Sequence, residues 1–381
     1  MKIPLTDLTV EYISIKDEIN TAIQRVFDHG QFILGPEVKA FEEEMAVYSG
    51  TKFAVGVASG TDALHLALLA CRIEPGDEII TTPFTFIATG ESITKCGAIP
   101  IFVDIEEKTD NIDPAQIEAR ITSKTKAILP VHLYGQPASM EDILYIARKY
   151  NLKVIEDCAQ SLGAEYNEQK VGSLGEAGCL SFFPAKNLGA YGDGGMVITN
   201  NSEVAETMGI LRRHGSKIAY YHFIHGFNSR LDALQAAILG VKLKHLEHWT
   251  ELRRSKALLY NQLLSQIEEI EPVYVDTEGS TKSSCNYYTI HLKDPKLDRS
   301  ELRNHLELNG IQTAIYYPLS LHLQDVYKHL GYTYGDFPRS EMAQEEVLSL
   351  PIYPQLSEDA ILKIVEVIKE YCRGDSKEPS R

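Results

Sequence analysis

The chain has 381 residues, with 37 Lys plus Arg against 53 Asp plus Glu, a formal net charge of −16 and 44% hydrophobic residues. At roughly 100–200 residues per domain this length predicts two or three domains with ample apolar material for a large core, which excludes a disulfide-stapled miniprotein. The acidic balance disfavours nucleic acid or an anionic membrane surface as a partner and points to a small ligand held by local groups.

Taken in chain order, the N-terminus has no apolar stretch of signal-peptide length, and residues 14–29 carry Ile15, Ile19, Ile23 and Val26 at helical spacing before a Gly30 stop. A second helix is predicted over 37–48. From 53 onward short apolar runs at 53–57, 78–82, 99–103, 127–133, 153–156, 178–182 and 195–199 alternate with helical patterns such as 62–71, 87–96 and 140–150. Continuous apolar strands separated by helices imply a mostly parallel sheet covered on both faces, with ligands at the carboxyl ends of its strands. A long helix is predicted from 231 to 267. It leads to a smaller α+β part with a strand at 285–292, helices at 299–308 and 358–371, and a polar end from 374. The expected division is a large domain over 1–250 and a small one over 251–381. The six cysteines are dispersed without a CxxC pair and no apolar run reaches the 18–20 residues of a spanning helix, so a reduced, cytoplasmic protein is expected.

Four strand ends carry chemistry. Ser59-Gly-Thr-Asp-Ala-Leu is a turn opening a helix, where N–H groups and hydroxyls can meet an anion; a simple helix cap is the plain alternative. Pro83-Phe-Thr-Phe-Ile-Ala-Thr sets aromatics after a strand, either core or a stacking surface for a planar ring. Glu156-Asp-Cys-Ala-Gln places Asp157 where an ionised carboxylate needs a cationic or hydrogen-bonding partner, unless it caps the next helix. Cys179-Leu-Ser-Phe-Phe-Pro-Ala-Lys-Asn-Leu-Gly puts Lys186 in a loop without a local carboxylate. Burial there would lower its pKa and free an amine for Schiff-base chemistry; a surface lysine before a glycine-rich turn is the alternative.

In this order the anion cradle, aromatic, acid and lysine describe a pyridoxal phosphate site. With Gly30-Gln-Phe-Ile-Leu-Gly-Pro-Glu-Val, Gly76-Asp-Glu, Val131-His-Leu-Tyr-Gly-Gln and Asn228-Ser-Arg-Leu-Asp-Ala-Leu-Gln-Ala-Ala, the sequence resembles the DegT/DnrJ/EryC1/StrS sugar aminotransferases, of the fold-type I pyridoxal-phosphate class, from about Pro4 to Tyr371. The resemblance implies pyridoxal 5′-phosphate, with pyridoxamine phosphate in turnover. By it, Lys186 and Asp157 are catalytic, Lys186 carrying the cofactor and Asp157 pairing with its ring nitrogen. Gln160 contacts the ring hydroxyl, Phe86 stacks, and Gly60, Thr61, Ser181 and Asn228 hold the phosphate. Asn228 reaches the neighbouring subunit's site, which makes a homodimer. Phe32, in the loop 30–36, and Tyr316, Tyr317 and His322 border the substrate, although packing is an equal alternative for the last three.

The implied reaction moves an amino group from an amino acid, glutamate by analogy, to a keto-sugar carried on a nucleotide diphosphate. The segment after Lys186 looks more like the enzymes acting at C3, pointing to a dTDP-linked 3-keto-6-deoxyhexose; a UDP-linked 3-keto sugar, a C4 sugar or cyclitol acceptor, or a non-catalytic cofactor-binding regulator are the alternatives. Arg212, Arg213, His214, Lys217 and His222 are candidates to meet a diphosphate or simply a solvated face. His222 with His225, and His245 with His248, have helical spacing for a shared metal-facing side, but no third ligand lies nearby and no metal is expected.

Overall fold

The computed structural model describes residues 2–277 and 279–374, so the polar end beyond Gly374 lies outside the described residues. The chain opens with α1 (Leu8–His29) and α2 (Pro36–Ser49). It then alternates β1 (Phe53–Val57), α3 (Gly60–Ala70), β2 (Glu78–Thr81), α4 (Ile87–Lys95), β3 (Ile99–Phe102), β4 (Thr125–Ile128), α5 (Met140–Tyr150) and β5 (Lys153–Asp157). A short hairpin of β6 (Glu165–Tyr166) and β7 (Gln169–Lys170) leads to β8 (Ala177–Ser181), β9 (Gly195–Thr199) and α6 (Ser202–Leu211). Seven of these strands form one sheet in the order β1-β9-β8-β5-β4-β2-β3. Pairing is parallel from β8 through β3, whereas β9 runs antiparallel to both β8 and β1. All its strands but β9 therefore point the same way, and the carboxyl ends of β1, β2, β5 and β8 share one edge.

Both faces of the sheet are buried, as the continuous apolar strands require. Leu180, Phe182, Met196 and Ile198 pack against α1, α2 and the first half of α7 (Ala233–Leu264). Val55, Val57, Ile79 and Val197 pack on the other side against α3, α4 and α6. Two boundaries differ from the sequence expectation for local reasons. The strand predicted to reach 133 stops at Ile128, because Pro130 has no N–H for the ladder, and Val131 makes only an isolated bridge to Asp157. Helix α1 starts at Leu8 rather than 14, capped by Asp7, whose carboxylate accepts the Thr9 and Val10 N–H groups, each at 3.1 Å.

Between α6 and α7 lies the hairpin β10 (Ser216–Ile218) and β11 (Tyr221–His222). The remaining chain forms an antiparallel sheet of β12 (Ile270–Pro272), β13 (Tyr288–Leu292) and β14 (Val347–Leu350), flanked by α8 (Arg299–Leu308), α9 (Pro338–Glu346) and α10 (Glu358–Cys372). Its core joins Ile290, Leu302, Ile361 and Ile364 to Ala257, Tyr260 and Leu264 of α7, and takes in Ile3 from the far end of the chain. The division expected at residue 250 thus falls within α7, which has Trp249 in the first core and Ala257 in the second. No helix among the described residues is long and apolar enough to cross a membrane. All six cysteines are free.

A buried ion cluster ties the two parts together. His291 of β13 faces Asp110 through Nε2 at 3.1 Å and Glu346 through Nδ1 at 2.9 Å, with Lys293 on Glu346 at 3.2 Å. Two carboxylate acceptors require both ring nitrogens to donate, so the ring is an imidazolium. Burial alone would lower its pKa, but the hydrogen bonds to Asp110 and Glu346 outweigh it and raise it from 6.5 to about 9. A raised folded-state value means stability that is complete below pH 6.5 and lost as pH climbs through 9. The melting-temperature gap between wild type and His291→Gln is therefore expected to be largest near pH 6 and to close by about pH 10; a gap that widens with pH would refute the imidazolium assignment.

Candidate active site

The shared strand edge opens into a cavity of about 490 Å³. Its floor begins where β1 turns into α3. Ser59 caps the helix, its Oγ accepting the Asp62 N–H at 3.1 Å, which leaves the N–H groups of Gly60 and Thr61 at the helix's positive end. Position 60 must be glycine, because a Cβ there would lie 2.6 Å from the Ser181 Cβ at the end of β8. Gly195 is required for a similar reason, since its Cβ would stand 2.2 Å from the Ser59 carbonyl oxygen. Close approach of these backbones makes a concave patch of N–H and hydroxyl groups from Ser59, Gly60, Thr61 and Ser181, suited to a phosphate.

Asp157 ends β5 and is 4% exposed. Its Oδ1 accepts the Ala159 N–H at 3.1 Å and its Oδ2 accepts the Thr89 hydroxyl at 2.8 Å. Burial raises its pKa, opposed by these two hydrogen bonds and by the charge of Lys186. Lys186 lies in the loop after β8, on the same cavity wall. Burial lowers its pKa from 10.5 to about 8, partly offset by Asp157. Among the described residues its Nζ makes no hydrogen bond or ion pair, and it sits 5.4 Å from the centroid of the Tyr287 ring. At pH 7 roughly a tenth of a lysine with that pKa is free amine, far more than for an ordinary lysine, and this is the form that attacks a carbonyl.

Aromatic rings line the rest. Phe86 caps α4 with its ring 55% exposed, 6.2 Å from that of Tyr317. Tyr317 Oη receives a hydrogen bond from Gln160 Nε2 at 2.8 Å, while Gln160 Oε1 accepts the Tyr134 N–H at 2.8 Å, so the amide orientation is fixed. Tyr316 packs against Tyr287 at 4.3 Å between centroids, and Tyr134 donates its hydroxyl to the Tyr316 carbonyl.

Residues 13–369 match the DegT/DnrJ/EryC1/StrS aminotransferase family. The chain belongs to it. A "Pleiotropic regulatory protein" of Geobacillus stearothermophilus is 50% identical over 98% of this chain and 99% of its own. The UDP-N-acetyl-3-dehydro-alpha-D-glucosamine 3-aminotransferase of Acidithiobacillus ferrooxidans is 45% identical, covering 98% of each. Among solved structures, DesV of S. venezuelae in complex with a ketimine intermediate superposes with a TM-score of 0.93 at 40% identity, over 97% of this chain and 98% of that one. In this DegT/DnrJ/EryC1/StrS aminotransferase, the sequence-derived residues Gly60, Thr61, Phe86, Asp157, Gln160, Ser181, Lys186, Tyr316 and Tyr317 all come to one cavity.

Three do not line it. Asn228 is exposed on the segment after the β10–β11 hairpin, and Ile218, Tyr220 and Tyr221 of that hairpin, with Phe223 just beyond it, are also exposed. Phe32 is 44% exposed and packs edge-on against Phe27. His322 is 1% exposed and paired through Nε2 with Glu341 at 3.0 Å against the Phe337 ring, so it packs beside the cavity rather than lining it. The basic run also points elsewhere. Arg212 holds Glu42 and the Gly56 carbonyl, Lys217 pairs with Glu206, and His222 bonds the His214 carbonyl. His222 lies in β11 rather than on a helix, and His245 stacks on Trp249 while pairing with Glu18.

Sequence reasoning did not assign Thr89, Tyr287, Ile315 or Asp193, all on the cavity wall. Thr89 carries a readable signal, one helical turn after Thr85 at the start of α4; the others depend on tertiary placement. Behind Asp157, His132, Glu156 and Cys158 bring three possible metal ligands within 4.8 Å of one another. Glu156, fully buried, already accepts the Gly172, Leu174 and Gly175 N–H groups and faces His132 at 3.0 Å, so its oxygens serve the backbone of the 172–175 turn.

Proposed function

We propose that the protein is a pyridoxal-phosphate-dependent aminotransferase that passes an amino group from an amino acid, L-glutamate, to C3 of a nucleotide-linked 3-keto sugar, a dTDP-linked 3-keto-6-deoxyhexose. The observation that carries this reading is Lys186, whose amine makes no hydrogen bond or ion pair among the described residues and has a pKa lowered to about 8 on the same cavity wall as Asp157. The residues present fit the cofactor: a cradle that a Cβ at Gly60 would fill, a buried carboxylate with no cation bonded to it, and an exposed Phe86 ring. Gly60, Thr61 and Ser181 would hold the phosphate, Gln160 the ring hydroxyl, and Asp157 the ring nitrogen. When bound, the cofactor supplies the electron sink that no side chain provides.

Lys186 Nζ does the proton work. As a free base it takes the proton from the donor's α-carbon, and as the ammonium it returns a proton on the far side of the transfer. Asp157 stays ionised to keep a positive charge opposite it. Phe86, Tyr316 and Tyr317 exclude water from the reacting centre. Asn228, with the exposed apolar residues of the β10–β11 hairpin beside it, serves a second copy of the chain in a homodimer.

The test is product analysis with glutamate and a panel of dTDP- and UDP-linked 3-keto and 4-keto sugars. A 3-amino product supports the reading; amination at C4 alone, or none, sinks it. The relative named as a regulatory protein favours a second role, binding the cofactor without turnover. Glutamate would then leave the cofactor's absorbance unchanged.

A further inference from the structure

We propose that Thr85 and Thr89 form a directed hydroxyl relay that positions Asp157, with Thr89 acting as a positioning residue for the cofactor-pairing carboxylate; this rests on the cofactor reading above. Thr89 and Thr85 are 1% and 2% exposed, and their hydroxyls lie 3.0 Å apart. The direction of the relay follows from counting hydrogens. A hydroxyl has one proton, and an ionised carboxylate only accepts. Thr89 gives its proton to Asp157 Oδ2 at 2.8 Å, so the bond between the threonines must be donated by Thr85.

This use of Thr89 is unusual for its place in the fold. A threonine inside a helix commonly turns its hydroxyl back to a carbonyl in the preceding turn. Ser92 in the same helix does that, bonding the Ala88 carbonyl at 2.7 Å. Thr89 instead turns out of α4 to the neighbouring strand end. With the Ala159 N–H on Oδ1 and Thr89 on Oδ2, both carboxylate oxygens are held, and rotation about the Cβ–Cγ bond would break both contacts. Lys186, His132, Tyr317, Cys158 and Cys179 lie close enough to act on this carboxylate through their charge, and among the described residues none of them is hydrogen-bonded to it. Helix α4 thus delivers two functions from one end, the Phe86 ring at its cap and a fixed acid through Thr89.

The experiment is titration of apo-protein with pyridoxal phosphate, followed by absorbance, alongside steady-state kinetics. Thr89→Val removes the hydroxyl at nearly constant shape. It is expected to weaken cofactor binding roughly 10- to 100-fold, the span of one hydrogen bond to a charged group, and to lower kcat more than it raises KM. Thr89→Ser restores both to within about threefold, because the hydroxyl returns. Thr85→Val gives a smaller loss, which vanishes when combined with Thr89→Val. In an Asp157→Asn background the Thr89→Val loss shrinks, since the charge it served is gone. Wild-type affinity in Thr89→Val, failure of serine to rescue, or additive effects in the Thr89–Asp157 cycle would each overturn the relay while leaving the cofactor reading intact. A wild type that takes up no cofactor overturns both.

Discussion

Alanine at position 186 is expected to give a folded protein that gains no yellow colour from pyridoxal phosphate, retains no cofactor after borohydride treatment, and has lost about 10²–10⁴-fold or more in turnover. The size follows from what Lys186 contributes. It is the cavity residue whose amine is free of hydrogen bonds and ion pairs among the described residues, with a pKa lowered to about 8 by burial. No neighbouring base stands in for it. Asp157 on the same wall is the group assigned to the ring nitrogen, and the phenols of Tyr316 and Tyr317 are pushed above their ordinary range by burial, so they stay protonated and cannot take a proton. Stability should hold, because the substitution removes a desolvated amine that makes no hydrogen bond or ion pair among the described residues, leaving only its charge effect on Asp157 and its contact with the Tyr287 ring to lose. Absorbance spectra, a thermal melt and turnover with glutamate read the three parts; turnover within tenfold of wild type would remove Lys186 from the mechanism.

Asparagine at position 157 is the second large loss. The amide has nearly the shape of the carboxylate, so the strand end and the contact with Thr89 survive. The negative charge does not. A preorganised charge facing the place where positive charge must be kept is worth roughly 10²–10³ in rate, and that factor is expected to disappear from kcat. Cofactor should still bind, more weakly, because the cradle of Gly60, Thr61 and Ser181 is untouched. Measuring kcat and the cofactor dissociation constant separately distinguishes the two effects, and a near-normal kcat would show that the charge is dispensable.

How much of this was readable in the sequence depends on the range over which each position is set. Asp157 ends a strand, and Gly60 and Lys186 lie within a few positions of strand ends, so the local pattern of apolar run and polar end places them without tertiary information. β9 is different. Residues 182–194 hold no helix, so β9 could return beside β8 only antiparallel, a deduction available from connection length though not from apolar pattern. Tyr287 and Ile315 reach the cavity from the second part of the chain, and nothing local marks them out from other small-domain aromatics and aliphatics. His322 shows the converse. Its neighbours in sequence resemble a substrate-bordering segment, but its ring is claimed by Glu341, nineteen positions away, and by Phe337. β4 ends at Ile128 although the apolar run continues to Leu133, because Pro130 has no N–H to give to the ladder.

The uninterrupted helix α7 has one further consequence. Its 32 residues extend about 48 Å and contribute side chains to two separate apolar cores. A flexible tether would let one lobe loosen while the other kept its shape. A shared rod does not, because melting either core frays turns on which the other is built. A single transition is therefore expected in a thermal melt, and limited proteolysis is expected to release no stable fragment cut between Trp249 and Ala257.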